Sequence, residues 1–138
     1  MLKLKYKDYD FVKKHIIQSD EHKAVFENRN KKYMFGCNNY GDIPGLMNAS
    51  DGDPWDVFAP GYSYKYLHIG YKYKIKDIIG VLELHNKNHK IAIRVNVSNF
   101  DESDAKKEIK RYVKQYKQGT KKKGKWVAFD PEYEWNKL

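Results

Sequence analysis

The sequence predicts one α+β domain, mainly β: a small barrel of short strands closed by a late helix. Three observations carry that expectation. The chain has 138 residues, enough for one domain with a core and too few for two. Beyond residue 70 apolar side chains recur with a period of two, as on half-exposed strands. Near the C-terminal end the period lengthens once, to that of an amphipathic helix.

Residues Phe11 to Ile17 suit a short helix or a strand equally. Ala24-Val25-Phe26 reads as a short strand that ends near Asn28-Arg29-Asn30. From Gly36 to Gly61 the density of Gly, Pro, Asn and Asp predicts turns and loops, and a loop of that length in a compact domain is usually functional. Tyr71-Lys72-Tyr73-Lys74-Ile75-Lys76 alternates large apolar residues with lysine, which predicts a half-exposed strand. Ile78 to Leu84 and Ile91 to Val97 read as two further strands, with His85-Asn86-Lys87-Asn88-His89 as the hairpin loop between them. Asp101 to Gln118 is the helix: Ala105, Ile109, Tyr112, Val113 and Tyr116 share one face. Acidic residues at its start and Lys117 at its end suit the helix dipole, and Gly119 is the expected stop. A strand from Trp126 to Phe129 leads into an aromatic tail.

Composition narrows the class. No stretch reaches the roughly 20 apolar residues of a membrane span, and Met1 to Lys7 lacks the apolar run of a signal peptide. Cys37 is the single cysteine, which excludes an internal disulfide and a cysteine-based zinc site. A cytoplasmic protein is expected, without a membrane partner. The formal charge of +9, from 27 Lys and Arg against 18 Asp and Glu, attracts polyanions without choosing among nucleic acid, an acidic surface and a small phosphate compound.

Asp51, Asp53 and Asp56 lie within six residues, in a bend stiffened by Gly52 and Pro54. Hard cations such as Mg2+ take oxygen ligands, and a short bend of this kind can aim several carboxylates at one point. Alone, the spacing also fits a solvated turn or a single calcium loop. An EF-hand is excluded, because its ligand order and terminal Glu are missing.

These residues belong to a longer pattern. Asn39-Tyr40-Gly41, then Asp51-Gly52-Asp53-Pro54-Trp55-Asp56-Val57, resembles the signature of the family I soluble inorganic pyrophosphatases. Met34-Phe35 before it, Ile79-Gly80-Val81-Leu82-Glu83 after it, and Tyr116-Lys117 with Lys123-Gly124-Lys125-Trp126-Val127 match further family blocks in order. The likeness covers about Ala24 to Val127.

The resemblance implies an OB-like five-stranded barrel with flanking helices, and Mg2+-dependent hydrolysis of pyrophosphate to two phosphates, with Mn2+ as a substitute ion. It makes Asp51, Asp53 and Asp56 metal-site carboxylates, with Asp56 bridging two ions and Asp53 deprotonating the attacking water. It gives Tyr40 the task of bracing the carboxylates through its hydroxyl. It assigns phosphate binding to Arg29, Lys90, Tyr116 and Lys117, with Lys14 a weaker candidate. Tyr116 also suits a plain core position at the end of its helix. A homo-oligomer is implied too, with Tyr62, Tyr64, Tyr66, Tyr133 and Trp135 as contact candidates.

The chain departs from the family pattern in a consistent direction. Asn86 and Asn88 stand where the family carries two metal-binding aspartates, Gly36 replaces a tyrosine, and the N-terminal glutamates are absent. Each carboxylate exchange removes negative charge that would gather cations. His85 and His89, flanking the two asparagines, suit a softer ion or simply a polar loop. A second function class follows, a lapsed enzyme that binds phosphate or single-stranded nucleic acid. The alternating Tyr and Lys of Tyr64 to Lys76 supply stacking and charge for nucleic acid, unless those tyrosines face the core or a neighbouring subunit.

Overall fold

The structure is a computed structural model that describes residues 2–4, 16, 22–27, 39–48, 53–62, 67–83, 89–120 and 125–135, with backbone alone at 2–4, 48 and 115–120. Seven strands are described: β1 (Leu2–Leu4), β2 (Lys23–Glu27), β3 (Tyr40–Asn48), β4 (Pro54–Phe58), β5 (Lys72–Glu83), β6 (Lys90–Val95) and β7 (Lys125–Ala128). One α-helix, α1 (Glu102–Thr120), precedes β7, and a single 3-10 turn covers Pro131–Tyr133.

Five of the strands close on themselves in the order β3-β2-β5-β6-β4 and back to β3. All of these pairings are antiparallel except β4 with β6, which is parallel. The result is a closed mixed barrel in an α+β domain, consistent with the OB-like expectation. Closure matters physically because it pairs backbone groups that an open edge would leave exposed. β1 extends the sheet in parallel beside the far end of β3, and β7 lies antiparallel to the second half of β5.

The strand pleat sorts side chains into two cores. Inside the barrel sit Ala24, Phe26, Ile43, Val57, Ile75, Ile91, Ile93 and Val95. On the outer wall Tyr40, Phe58, Ile79, Leu82 and Ala92 meet Ala105, Ile109, Tyr112 and Val113 of α1. β6 shows the logic most simply: Ile91, Ile93 and Val95 point in, while Lys90, Ala92 and Arg94 point out. α1 starts where the Asp101 carboxylate accepts the Asp104 N–H at 3.0 Å and the Asp101 carbonyl accepts the Ala105 N–H. Glu108, half-buried on the same helix, accepts the Gly61 N–H at 2.8 Å and ties the helix to the loop after β4.

Several expectations need correction. Within the segment read as loops, Tyr40–Asn48 and Pro54–Phe58 are paired strands. Their turn-rich composition is overridden by tertiary pairing, and its trace is the register shift between Ile43 and Met47, where Gly45 takes φ 85°. The strands read separately at Tyr71–Lys76 and Ile78–Leu84 are one twelve-residue strand, β5, with irregular register near Asp77 and Ile79. α1 continues to Thr120, so Gly119 lies inside it rather than ending it. Tyr62, Tyr133 and Trp135, named for subunit contacts, are buried within their own chain. The Tyr62 hydroxyl bonds both N–H and C=O of Val95, and Trp135 stacks on Trp126 with ring centroids 5.9 Å apart. Tyr64 and Tyr66 lie outside the described residues, as do Phe11 to Ile17 except for the buried Ile16.

Candidate active site

Asn39-Tyr40-Gly41 does three structural things. The Asn39 side chain, buried at the start of β3, donates to the Ala59 carbonyl at 2.8 Å, while the Asn39 carbonyl accepts the Ala59 N–H. The end of β4 is thereby locked to the start of β3. Tyr40 turns its ring to the outer core and its hydroxyl toward Lys90. Gly41 lets β2 approach, since a Cβ there would overlap the Val25 carbonyl oxygen.

Because β3 and β4 pair with Asp42 opposite Asp56, those two residues and Tyr40 share the outer face of the barrel. Lys90 enters this face from β6. Its ammonium donates to Asp56 Oδ2 at 2.6 Å and to the Tyr40 hydroxyl at 2.9 Å, and it lies 5.3 Å from the centre of the Tyr40 ring. The lysine side chain is 7% exposed and the aspartate 27%. An ammonium so deeply placed requires a carboxylate beside it, because a buried lone charge is costly. Trp55, between Pro54 and Asp56, points inward and donates its indole N–H to the Met47 carbonyl at 2.8 Å, which steadies β4 across the irregular part of β3.

Asp42 is a further carboxylate of this face, beside those the resemblance assigns. Burial, then the negative charges of Glu27 and Asp56, push its carboxyl above the usual carboxylate range. The signal was present: once Tyr40 to Ile43 is read as a strand, Tyr40 and Asp42 must share a face. A clustered carboxylate that resists ionisation is one that a cation would stabilise, and oxygen donors of this kind fit a hard divalent ion.

The other assigned residues are placed as follows. Asp53 is exposed in a bend just before β4. Asp51 and Arg29 lie outside the described residues, as do Lys14, His85, Asn86 and Asn88. Tyr116 and Lys117 are on the last turns of α1, with side chains outside the described residues. His89 is half-buried just before β6. Among the described residues, Lys90 therefore joins two other assigned residues, Tyr40 and Asp56. Among the described residues no three Asp, Glu, His or Cys side chains form a group that could hold a metal ion. No helix among them is long and apolar enough to cross a membrane. Comparison of the chain with protein-family models, with curated proteins and with solved structures gives no match.

Proposed function

We propose that the chain is an inorganic diphosphatase that hydrolyses pyrophosphate to two phosphates with Mg2+, or Mn2+ in its place. The reading rests on one observation. Lys90 bonds Asp56 and Tyr40 at once, although they lie 34 and 50 residues away from it in the chain, and the resemblance assigns all three to one site.

When bound, a divalent ion supplies polarisation of the phosphoryl oxygens and a lowered pKa for water. Asp51 and Asp56 would hold it, and Asp42 adds an oxygen donor beside Asp56. Asp53 takes the proton of the attacking water. The water oxygen forms a bond to phosphorus as the bridging P–O bond breaks, and the bond's electron pair leaves with the second phosphate. Lys90 fixes the Asp56 carboxylate and brings positive charge to a substrate that carries several negative ones. Arg29, Tyr116 and Lys117 are assigned to the phosphate groups. A cytoplasmic location and assembly with further copies of the chain belong to the same proposal.

The test is phosphate release from pyrophosphate across Mg2+ and Mn2+ titrations, beside Asp53→Asn. We expect metal-dependent release that the variant lowers by a factor of about 10² to 10⁴, the usual worth of a positioned base. Release no greater than that of the variant, at every metal concentration, would defeat the proposal.

A further inference from the structure

The positive charge of the chain is concentrated in one stretch. Residues 106 to 125 hold ten of the 27 Lys and Arg and one of the 18 Asp and Glu, a net of +9 that equals the formal excess of the whole chain. The remaining residues therefore balance, with 17 of each sign. Five of the ten, Lys106, Lys107, Lys110, Arg111 and Lys114, lie on α1 with exposed side chains. Ala105, Ile109, Tyr112 and Val113 turn the apolar stripe of α1 onto the barrel, so the basic residues fall on the opposite, outward arc. Lys106, Lys110 and Lys114 follow one another at intervals of four, and Lys107 stands three before Lys110.

Little on the helix offsets this row. Glu102 and Asp104 lie in the first turn, where helical spacing brings them to Lys106 and Lys107 and no further. Glu108 is half-buried and accepts the Gly61 N–H, and Arg111 beside it lies against the Tyr112 ring at 5.2 Å. Lys110 has Lys106, Lys107 and Lys114 as its charged neighbours three and four residues away. It therefore meets like charge in both directions along the helix, an arrangement that destabilises it. Among the described residues none of Lys106, Lys107, Lys110 and Lys114 has a carboxylate within ion-pair reach. Basic residues gathered along one helix face are the electrostatic footprint that attracts a polyanion.

We propose that the outward arc of α1 binds the phosphate backbone of double-stranded nucleic acid, with Lys106, Lys107, Lys110 and Lys114 on the phosphates and no reading of the bases. From Lys106 to Lys114 the helix rises about 12 Å, a length over which a duplex presents about seven negative charges. The arc holds no aromatic or apolar side chain, so it has no platform on which the bases of a single strand could stack. Insertion into a lipid surface would need the apolar face, and that face is spent on the barrel. An extended acidic peptide carries at most one charge per about 3.3 Å, half the density of the duplex. The diphosphatase reading is not needed here, since none of the four lysines belongs to that site.

The experiment is fluorescence anisotropy with labelled duplex DNA of about 20 base pairs in two unrelated sequences. KCl is varied from about 20 to about 200 mM, because the slope of log K against log salt counts the phosphates engaged. Both sequences should bind alike, and a single strand of the same length more weakly. Lys110→Gln with Lys114→Gln should make the slope shallower by about 1.8 and leave the melting temperature equal or higher, since like-charge pairs are relieved. Lys72→Gln with Lys76→Gln, which removes the same charge from exposed positions of β5, should keep the wild-type slope. Absence of duplex binding at the lowest salt overturns the proposal, and so does a wild-type slope in the folded α1 variant or an equal change in the β5 control. Poly-glutamate, phosphatidylserine vesicles or the single strand bound as tightly as the duplex overturns it as well. Neither variant touches the diphosphatase site, so the outcome is independent of that of the Asp53→Asn test.

Discussion

The pair formed by Lys90 and Asp56 makes an asymmetric prediction. Removing one partner of a buried ion pair costs about 3–5 kcal/mol, because the other charge is left in a poorly solvated place. The two residues are not equally buried, with the lysine side chain 7% exposed and the aspartate 27%. Lys90→Met keeps the aliphatic stem and leaves behind a carboxylate that water reaches, so the cost falls to about 2 kcal/mol. Asp56→Ala leaves behind the more deeply buried ammonium, and about 4 kcal/mol is expected. The assay is urea unfolding followed by tryptophan emission in buffer containing EDTA, with Trp55 adjacent to Asp56 as a local reporter. The double variant should be more stable than the two single losses added together, by about 2 kcal/mol. The reasoning is refuted if Lys90→Met is the costlier change, or if the two losses add to within about 0.5 kcal/mol.

Other consequences are simpler to state. Gly41→Ala would drive a methyl group into the Val25 carbonyl and should cost about 3 kcal/mol, read by the same unfolding curves; a loss under about 1 kcal/mol would mean that β2 and β3 separate easily. Trp135→Ala removes a ring stacked on Trp126 and should cost about 3 kcal/mol, and a negligible change would show that the tail is not docked. Glu108 is held above the usual carboxylate range by burial, despite its bond from the Gly61 N–H and the nearby Arg111 charge. Its folded pKa being raised, the stability it contributes is complete below the unfolded pKa and is lost as pH rises through the folded one. The melting temperature of Glu108→Gln relative to wild type should therefore climb from about pH 4 to about pH 7, and a flat difference would contradict the assignment.

Local sequence was most readable where one element buries one face. Ala105, Ile109, Tyr112 and Val113 announce α1 because a helix that packs on a barrel needs an apolar stripe of that period. The alternation of Tyr73 and Ile75 with lysine announces the first half of β5 for the matching reason, and it holds whatever the strand pairs with. Both signals survive without knowledge of a partner.

Residues 40 to 58 show the opposite case. Gly41, Pro44 and Gly45 carry turn propensities, yet the chain there forms β3. Gly41 is needed for close approach to β2 and Asn39 for the lock on Ala59, and both needs exist only after the strands have met. Propensity is worth at most about 1 kcal/mol per residue, and strand pairing with burial of Ile43, Trp55 and Val57 exceeds it.

The site divides along the same line. Asp51, Asp53 and Asp56 can be picked out as a group because they fall within six residues of the sequence, and the resemblance adds Tyr40 and Lys90. That Lys90 grips Asp56, and that Asp42 faces it, was decided by register between strands distant in the chain. Side-chain period is a property of one strand, whereas the identity of the neighbour opposite is a property of two, and only the closed barrel specifies it.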